Sequence, residues 1–134
     1  MNNTFTITQT TWQESQQALS MLRTTVFMDE QHVSAEDEWD GKDEHALHFL
    51  VSDSKGQAIG CARILIETHN AKSCFHIGRV AILKAHRNQG IGHQLMQTTI
   101  AWCQQQHPDH LRLHPLPLPD RCFYIPEHHH HARL

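Results

Sequence analysis

The chain has 134 residues, 39% of them apolar and 19% charged, with a formal net charge of −3 when histidine is neutral. That is the size of one domain with one conventional core, too apolar for a disordered segment. It also lacks the global positive charge of a nucleic-acid binder.

The longest apolar runs, such as residues 46–51, fall far short of the ~20 residues needed to span a bilayer. Residues 1–10 are polar and show no basic stretch followed by an apolar one, so no secretory signal is expected. Cys61, Cys74, Cys103 and Cys122 are scattered without a CxxC pair, which argues against a zinc framework or a thioredoxin-type motif. Such cysteines suit a reducing compartment, and a cytoplasmic location is the expectation.

Residues 4–10 alternate, with Phe5 and Ile7 on one face, and predict a short strand. Thr10 or Thr11 then caps a helix, with Glu14 at the third position to answer it. Ser15, Leu19, Leu22 and Val26 follow at helical spacing, so an amphipathic helix is expected over residues 12 to about 28. Residues 29–44 lose that period. Glu36, Asp37, Glu38, Asp40, Asp43 and Glu44 surround Trp39 and Gly41, which predicts an acidic loop with at most one helical turn near Asp29. The loop is expected to be solvated or to attract a cationic amine, with Trp39 packed down as its anchor.

Three β-rich runs follow, over residues 45–53, 57–68 and 73–83. Ser54, Lys55 and Gly56 form a tight turn between the first two, and residues 69–72 join the second pair in an antiparallel meander. Gly78 interrupts the third run and marks a bulge or a close backbone approach. A second helix is predicted over residues 90–106, with Ile91, Leu95, Thr98 and Trp102 on one face and Gly92, Met96, Ile100 and Cys103 beside it. Pro108 ends that helix. Residues 111–113 suit one more strand, and Pro115, Pro117 and Pro119 exclude a regular central strand beyond it. The order β-α-β-β-β-α-β is that of an α/β (α+β) domain, not of doubly wound βαβ repeats. Fourteen histidines are present, four of them in a run at residues 128–131. That run reads as natural, as a metal-binding tail or as a cloning remnant, and no evolved function is expected of it.

The strongest chemical signal is Arg87, Asn88, Gln89, Gly90, Ile91 and Gly92. A strand ending Val80-Ala81-Ile82 runs into a short loop, and the loop into a helix that opens on two glycines one residue apart. Helix starts leave N–H groups unpaired and carry partial positive charge, so they bind phosphate oxygens. Glycine at 90 and 92 lets the backbone approach such an anion without Cβ collisions. Arg87 is expected to add a charge or to fix the shape of the loop.

This unit, R-x-x-G-x-G behind a buried strand, resembles the acetyl-CoA signature of the GNAT (GCN5-related) N-acetyltransferases. The stretch Leu22-Arg23-Thr24-Thr25-Val26-Phe27-Met28-Asp29-Glu30-Gln31, then Glu38-Trp39-Asp40-Gly41 and His45-Ala46-Leu47-His48, is similar to the ElaA/YjcF-type branch. The resemblance covers roughly residues 3–114. It implies a mixed, mainly antiparallel twisted sheet flanked by helices, with a shortened or irregular C-terminal end. Residues 1–134 would form one domain, with 113–134 atypical.

The resemblance further implies acetyl-CoA as co-substrate. Its pantetheine arm would lie along Val80, Ala81 and Ile82 like a neighbouring strand, pairing with backbone groups of Val80 and Ile82. One N–H there would polarise the thioester carbonyl. The pyrophosphate would rest on amides of residues 87–92, and a bulge near Gly78 would splay the strands to admit the arm. Transfer also needs an acceptor amine that loses a proton and a departing thiolate that gains one. The family's usual acid, a tyrosine in the helix after the fifth strand, corresponds to Tyr124, the single tyrosine of the chain. His114 falls where the family carries a histidine in an LHAQ-like stretch, and Glu30 and His45 or His48 are bases by residue type. Each has a structural alternative: the histidines as fillers of a strand face, and Glu30 as a cap or an ion-pair partner.

The end of the chain departs from the family pattern. The family continues with a helix containing FYxxxGF and a strand hairpin, whereas residues 112–134 contain no glycine and are too short for that hairpin. A partner chain completing the acceptor wall, or weakened catalysis, would follow. The expected activity is acetyl-CoA-dependent N-acetylation of a primary amine on a small molecule or peptide. The alternative is an acyl-CoA-binding module with little turnover. A metal-binding protein is a third reading, but His76, His86 and His93 lack HExxH or paired Cys/His spacing, so no metal is expected. No nucleic-acid or membrane partner is expected, and a homodimer would follow if sheet edges stay unpaired.

Overall fold

The computed structural model describes residues 4–69, 71–106, 112–114 and 120–125. Strand β1 (Phe5–Thr10) leads into helix α1 (Trp12–Arg23). Of the two candidate caps it is Thr11 that serves, accepting from the Glu14 N–H at 3.1 Å, and Glu14 answers by accepting the Thr11 hydroxyl at 3.2 Å. The α-helical bonding stops at Arg23, earlier than the sequence predicts, and Thr24–Glu30 widens into a π-helical segment. Three successive β-branched residues, Thr24, Thr25 and Val26, crowd an α-helix. Leu19, Leu22 and Val26 nonetheless keep one buried stripe across the change, which is why periodicity reads both segments as one helix.

The acidic stretch is more ordered than a solvated loop. It contains α2 (Ala35–Glu38), capped by the Ser34 hydroxyl accepting from the Asp37 N–H. A 3-10 turn over Asp43–His45 then delays strand β2 to Leu47–Asp53. Strands β3 (Ala58–His69) and β4 (Lys72–Ile82) complete the meander. The turn between β2 and β3 is fixed by Asp53, whose carboxylate accepts from the N–H groups of Lys55 and Gln57. Helix α3 (Ile91–Gln106) and strands β5 (Arg112–His114) and β6 (Arg121–Tyr124) follow.

The sheet has the order β1-β2-β3-β4-β6-β5, and every pairing among the described residues is antiparallel. The mainly antiparallel sheet expected from the sequence is present, and no parallel pair occurs among the described residues. The C-terminal end differs from expectation, because β5 and β6 do form a hairpin, with Leu113 opposite Phe123 and His114 opposite Cys122. Three-residue β5 takes the sheet edge, and the apolar Cys122-Phe123 pair inserts β6 beside β4. Pro115, Pro117 and Pro119 lie between the two strands, outside the described residues, so they interrupt neither ladder. The run at residues 128–131 lies outside them too. No helix of the described residues is long and apolar enough to cross a membrane.

A helix covers each face of the sheet. Against one face, Ile91 and Leu95 of α3 pack on Phe49, Val51, Ile64, Phe75 and Ile77. Against the other, Leu19, Leu22 and Val26 pack on Cys61 and Ala81. Full burial of each large aliphatic side chain contributes about 1.5–3 kcal/mol. The centre of the α3 stripe is Ile91, Leu95, Thr99 and Cys103, one step around the helix from the face predicted through Thr98 and Trp102. Thr99 is tolerated there because its hydroxyl donates to the Met96 carbonyl at 2.8 Å.

Candidate active site at the open edge of β4

Strand β4 is paired with β3 along nearly its whole length, but its other edge meets β6 only over Cys74–Ile77. Beyond that point no strand among the described residues pairs with this second edge along Arg79, Val80, Ala81 and Ile82. The change coincides with the bulge predicted near Gly78. Between Arg63 and Cys61 of β3, the β4 partner moves from Gly78 to Ala81, so β4 carries one extra residue. The unusual backbone falls on Arg79, at φ +51°, rather than on the glycine. Gly78 serves close approach instead: a Cβ at this position would lie 3.0 Å from Asp120 Oδ2.

Past the bulge the register decides which backbone groups are available. Gly60 faces Ile82, and the Leu83 N–H donates to the Ile59 carbonyl at 2.9 Å. Ala81 therefore turns its N–H and C=O toward β3, and alternation turns those of Val80 and Ile82 to the open side. Ala81 contributes a buried side chain on the α1 face, and Val80 and Ile82 pack on the α3 face. The Ile82 carbonyl already accepts Arg87 Nε at 2.8 Å.

A 3-10 turn over Lys84–His86 carries the chain to the start of α3. Asn88 and Gly90 there adopt positive φ, +64° and +81°. Alternating handedness of this kind curls successive N–H groups into an anion-binding nest. It opens directly on the first turn of α3, whose leading N–H groups have no intrahelical acceptor. Open space surrounds the position a Gly90 Cβ would take, so only the backbone angle demands glycine.

Arg87 fixes this loop. Its terminal nitrogens reach Glu30 Oε2 and Oε1 at 2.9 and 2.7 Å while Nε holds Ile82. All three donor positions tie the loop to β4 and to the π-helical segment. Glu30, expected as a base, has both oxygens in this fork. Hydrogen bonds from Arg87 hold its carboxyl below the usual range, which suits an anchor and not a proton acceptor.

The acidic loop is neutralised from beneath. Arg23 binds Glu38 and Asp43, Arg63 binds Asp40 and Asp43, and Arg79 binds Glu38 and Asp40. Arg23 and Arg63 are 1% and 3% exposed, so these are buried ion pairs. Burial works against ionised Asp40 and Asp43, but the guanidinium groups of Arg63 and Arg23 outweigh it and hold both carboxyls low. Trp39 anchors the loop as expected, with the Arg23 guanidinium 4.8 Å from its ring centre. Neither a purely solvated loop nor a free anionic lure describes this segment. Its Arg79 link also holds the bulge of β4 in its positive φ.

The remaining sequence candidates lie elsewhere. Tyr124 is on strand β6 and not in a helix; it faces Cys74, about 13 Å along the strand from the fork at Gly78. Its ring lies under Lys72 Nζ at 5.5 Å. His114 is on β5, on the far side of β6 from β4. His48 is 1% exposed, and burial pushes its pKa down while its Nε2 meets the Asp43 carbonyl at 2.9 Å. That is the filled strand face of the structural alternative. His45 is exposed and borders a cleft of about 700 Å³ with Lys42, Leu65 and Glu67.

A group that sequence reasoning missed stands at the fork itself. His76 of β4 lies 2.7 Å from Glu67 Oε1 through Nδ1 and 2.7 Å from Asp120 Oδ2 through Nε2. The bond to Asp120 raises its pKa; burial opposes that shift, and Glu67 adds to it. Strand alternation could have put His76 and Gly78 on one face. Nothing in the sequence brings Asp120 opposite Gly78, because that contact depends on β6 inserting beside β4.

An antiparallel sheet with a helix on each face, and a strand that opens just ahead of a glycine turn at a helix start, is the architecture of GNAT acetyltransferases. The chain belongs to that family, since the Acetyltransferase (GNAT) family profile matches residues 8–116. Among solved structures it resembles Escherichia coli ElaA at TM-score 0.69 and 22% identity, covering 92% of this chain and all (100%) of that one. It resembles an acyl-CoA N-acyltransferase from Pseudomonas aeruginosa at TM-score 0.68 and 23% identity, covering 92% and 100%. A GNAT acetyltransferase from Brucella melitensis, solved in complex with acetyl-CoA, is similar at TM-score 0.68 and 14% identity, covering 93% and 90%. The uncharacterized YyaT of Bacillus subtilis (strain 168) is 40% identical over 74 residues, which cover 53% of this chain and 47% of that protein. The matched region thus spans about half the length of that curated relative.

Proposed function

We propose that this protein transfers the acetyl group of acetyl-CoA to a primary amine on a small molecule or peptide. The observation that carries the reading is the outward-facing edge of Val80 and Ile82 leading without a break into the nest and helix start at residues 87–92. An open strand edge offers N–H and C=O groups to an extended amide chain, and the nest and helix dipole favour a pyrophosphate. Val80 supplies both of its backbone groups and Ile82 its N–H, since Arg87 occupies the Ile82 carbonyl. The amides of Asn88, Gln89, Gly90, Ile91 and Gly92 hold the phosphates. Arg87 and Glu30 keep the cradle in shape. The thioester supplies an activated acyl carbon, and an N–H of the open edge polarises its carbonyl.

The positions of Tyr124 and His114 do not favour them as the proton donor. A homodimer in the cytoplasm remains part of the proposal, with the outer strands β1 and β5 as the edges available for pairing. The test is thiol release from acetyl-CoA across a panel of primary amines, alongside calorimetry with acetyl-CoA. Amine-dependent release is the expected result. Binding with a flat trace on every amine would leave an acyl-CoA-binding module, and no binding at millimolar acetyl-CoA would sink both readings.

A further inference from the structure

We infer that Asp120, His76 and Glu67 form the proton-accepting end of the acceptor site, with Asp120 receiving the substrate ammonium, His76 taking up its proton and Glu67 positioning His76. The inference rests on the acetyltransfer reading above and adds the groups that deprotonate the amine.

The geometry is specific. Asp120 lies directly over Gly78, at the point where β6 leaves β4 and the open edge begins. Its side chain is 32% exposed, so it can be reached from solvent, whereas that of His76 is 20% exposed and approached through it. Glu67, on β3, closes the other side of the ring, where it borders a separate cleft of about 700 Å³ with Lys42 and His45. Lys42 Nζ, 3.5 Å from Glu67 Oε2, is a cation facing the group. The other titratable neighbours are Cys74 and Cys122, 2.8 Å apart at sulfur, and Arg121, whose guanidinium donates to the Asp120 carbonyl. Burial raises both thiol pKa values, so neither competes for the proton.

The bonding pattern sets the chemistry. An ionised carboxylate only accepts hydrogen bonds, so an imidazole gripped by two of them must carry a proton on each nitrogen. In the neutral tautomer that carries its proton on Nδ1 toward Glu67, Nε2 and Asp120 Oδ2 are two acceptors at bonding distance with no proton between them. A substrate ammonium restores that proton: it gives one up to the Asp120 carboxylate, and His76 Nε2 ends protonated. The free amine nitrogen forms the C–N bond as the thioester C–S bond breaks and sulfur keeps the pair; the second proton that the nitrogen loses in becoming an amide passes through water to the thiolate. One proton is released per turnover when His76 reopens to solvent. Because hydrogen bonding raises the pKa of His76, the cluster is a stronger base than a free imidazole, which narrows the gap to the amine.

The test uses the full chain with two readouts. In the acetyl-CoA-free protein, NMR titration of the His76 ring should give a pKa above the ordinary histidine value. Glu67→Gln and Asp120→Asn should each lower it. In acetyl transfer, log kcat/KM should rise with pH to a plateau whose limb follows the NMR value, and Glu67→Gln should move that limb to lower pH by the same amount. Asp120→Asn should cut kcat/KM at least tenfold with acetyl-CoA affinity unchanged. A His76 pKa at or below the ordinary value overturns the inference. So does a limb that stays put while the NMR pKa moves, or an Asp120→Asn enzyme with full activity. Wild type that binds acetyl-CoA but acetylates no amine defeats the transferase reading instead, and the relay with it, whatever the NMR titration shows.

Discussion

At the scale of single residues, Arg87 shows how a motif arginine can fix the shape of a loop. Three of its five N–H groups bond Glu30 and the Ile82 carbonyl and tie the loop to β4 and the π-helical segment. The identity of the residue matters, because a planar fork meets a carboxylate on two bonds and keeps Nε for a third. Glu30→Gln should therefore act on the cofactor and not on the chemistry. The KM for acetyl-CoA is expected to rise several-fold to about tenfold. kcat should hardly change in steady-state kinetics with saturating amine. A large drop in kcat with an unchanged KM would return Glu30 to the role of base. Gly90 illustrates the opposite case, since open space surrounds it and only its φ of +81° calls for glycine.

At the scale of elements, the acidic loop and the bulge of β4 form one unit. Arg79 holds its positive φ while its side chain reaches Glu38 and Asp40, and Arg63 and Arg23 bind the same loop from the sheet and α1. Removing one partner leaves a buried carboxylate uncompensated, which is costly. Arg63→Met should lower stability by about 3–5 kcal/mol in urea denaturation, and a loss below 1 kcal/mol would show the loop to be weakly coupled.

Much of this level was legible in the sequence. Alternation found β1 to β4, and the Thr11–Glu14 spacing found the cap of α1. The interruption at Gly78 found the bulge, and the glycine pair found the α3 start. What stayed hidden depended on contacts remote in the chain. Six acidic residues in a row of loop look solvated until three arginines from α1, β3 and β4 come beneath them. The π-helical segment kept the buried stripe of an α-helix, so periodicity could not separate the two. Residues 111–113, read as one more strand, fall within a residue of β5, but the four-residue β6 is too short for a period to form, and with it went the true position of Tyr124 and the meeting of Asp120 with His76.

At the scale of the whole molecule, stability and ligand binding respond to different groups. Asp40 and Asp43 have depressed pKa values when folded. Their contribution is present above the unfolded carboxylate value of about 3.9 and lost as pH falls through the folded values. His48 is also depressed, so it costs stability progressively below about pH 6.5, where the unfolded chain takes up a proton that the folded one refuses. His76 is raised and acts in the opposite sense, stabilising below about pH 6.5 and fading as pH rises through its folded pKa. Urea midpoints are therefore expected to change little between pH 6 and 8, where the histidines oppose each other, and to fall steeply below about pH 4. A midpoint that holds from pH 6 to pH 3 would remove the buried ion pairs from the account.

Under the proposed function, the open edge of β4 and the nest ahead of α3 together hold acetyl-CoA. The most direct measurement is a calorimetric titration of acetyl-CoA into the full chain and into Gly90→Val, whose β-branched side chain disfavours the φ the nest requires. Saturable binding by the wild type, weakened at least tenfold in a Gly90→Val protein of unchanged circular dichroism, is the result expected. No heat at millimolar acetyl-CoA, or equal affinity in the two proteins, would contradict it.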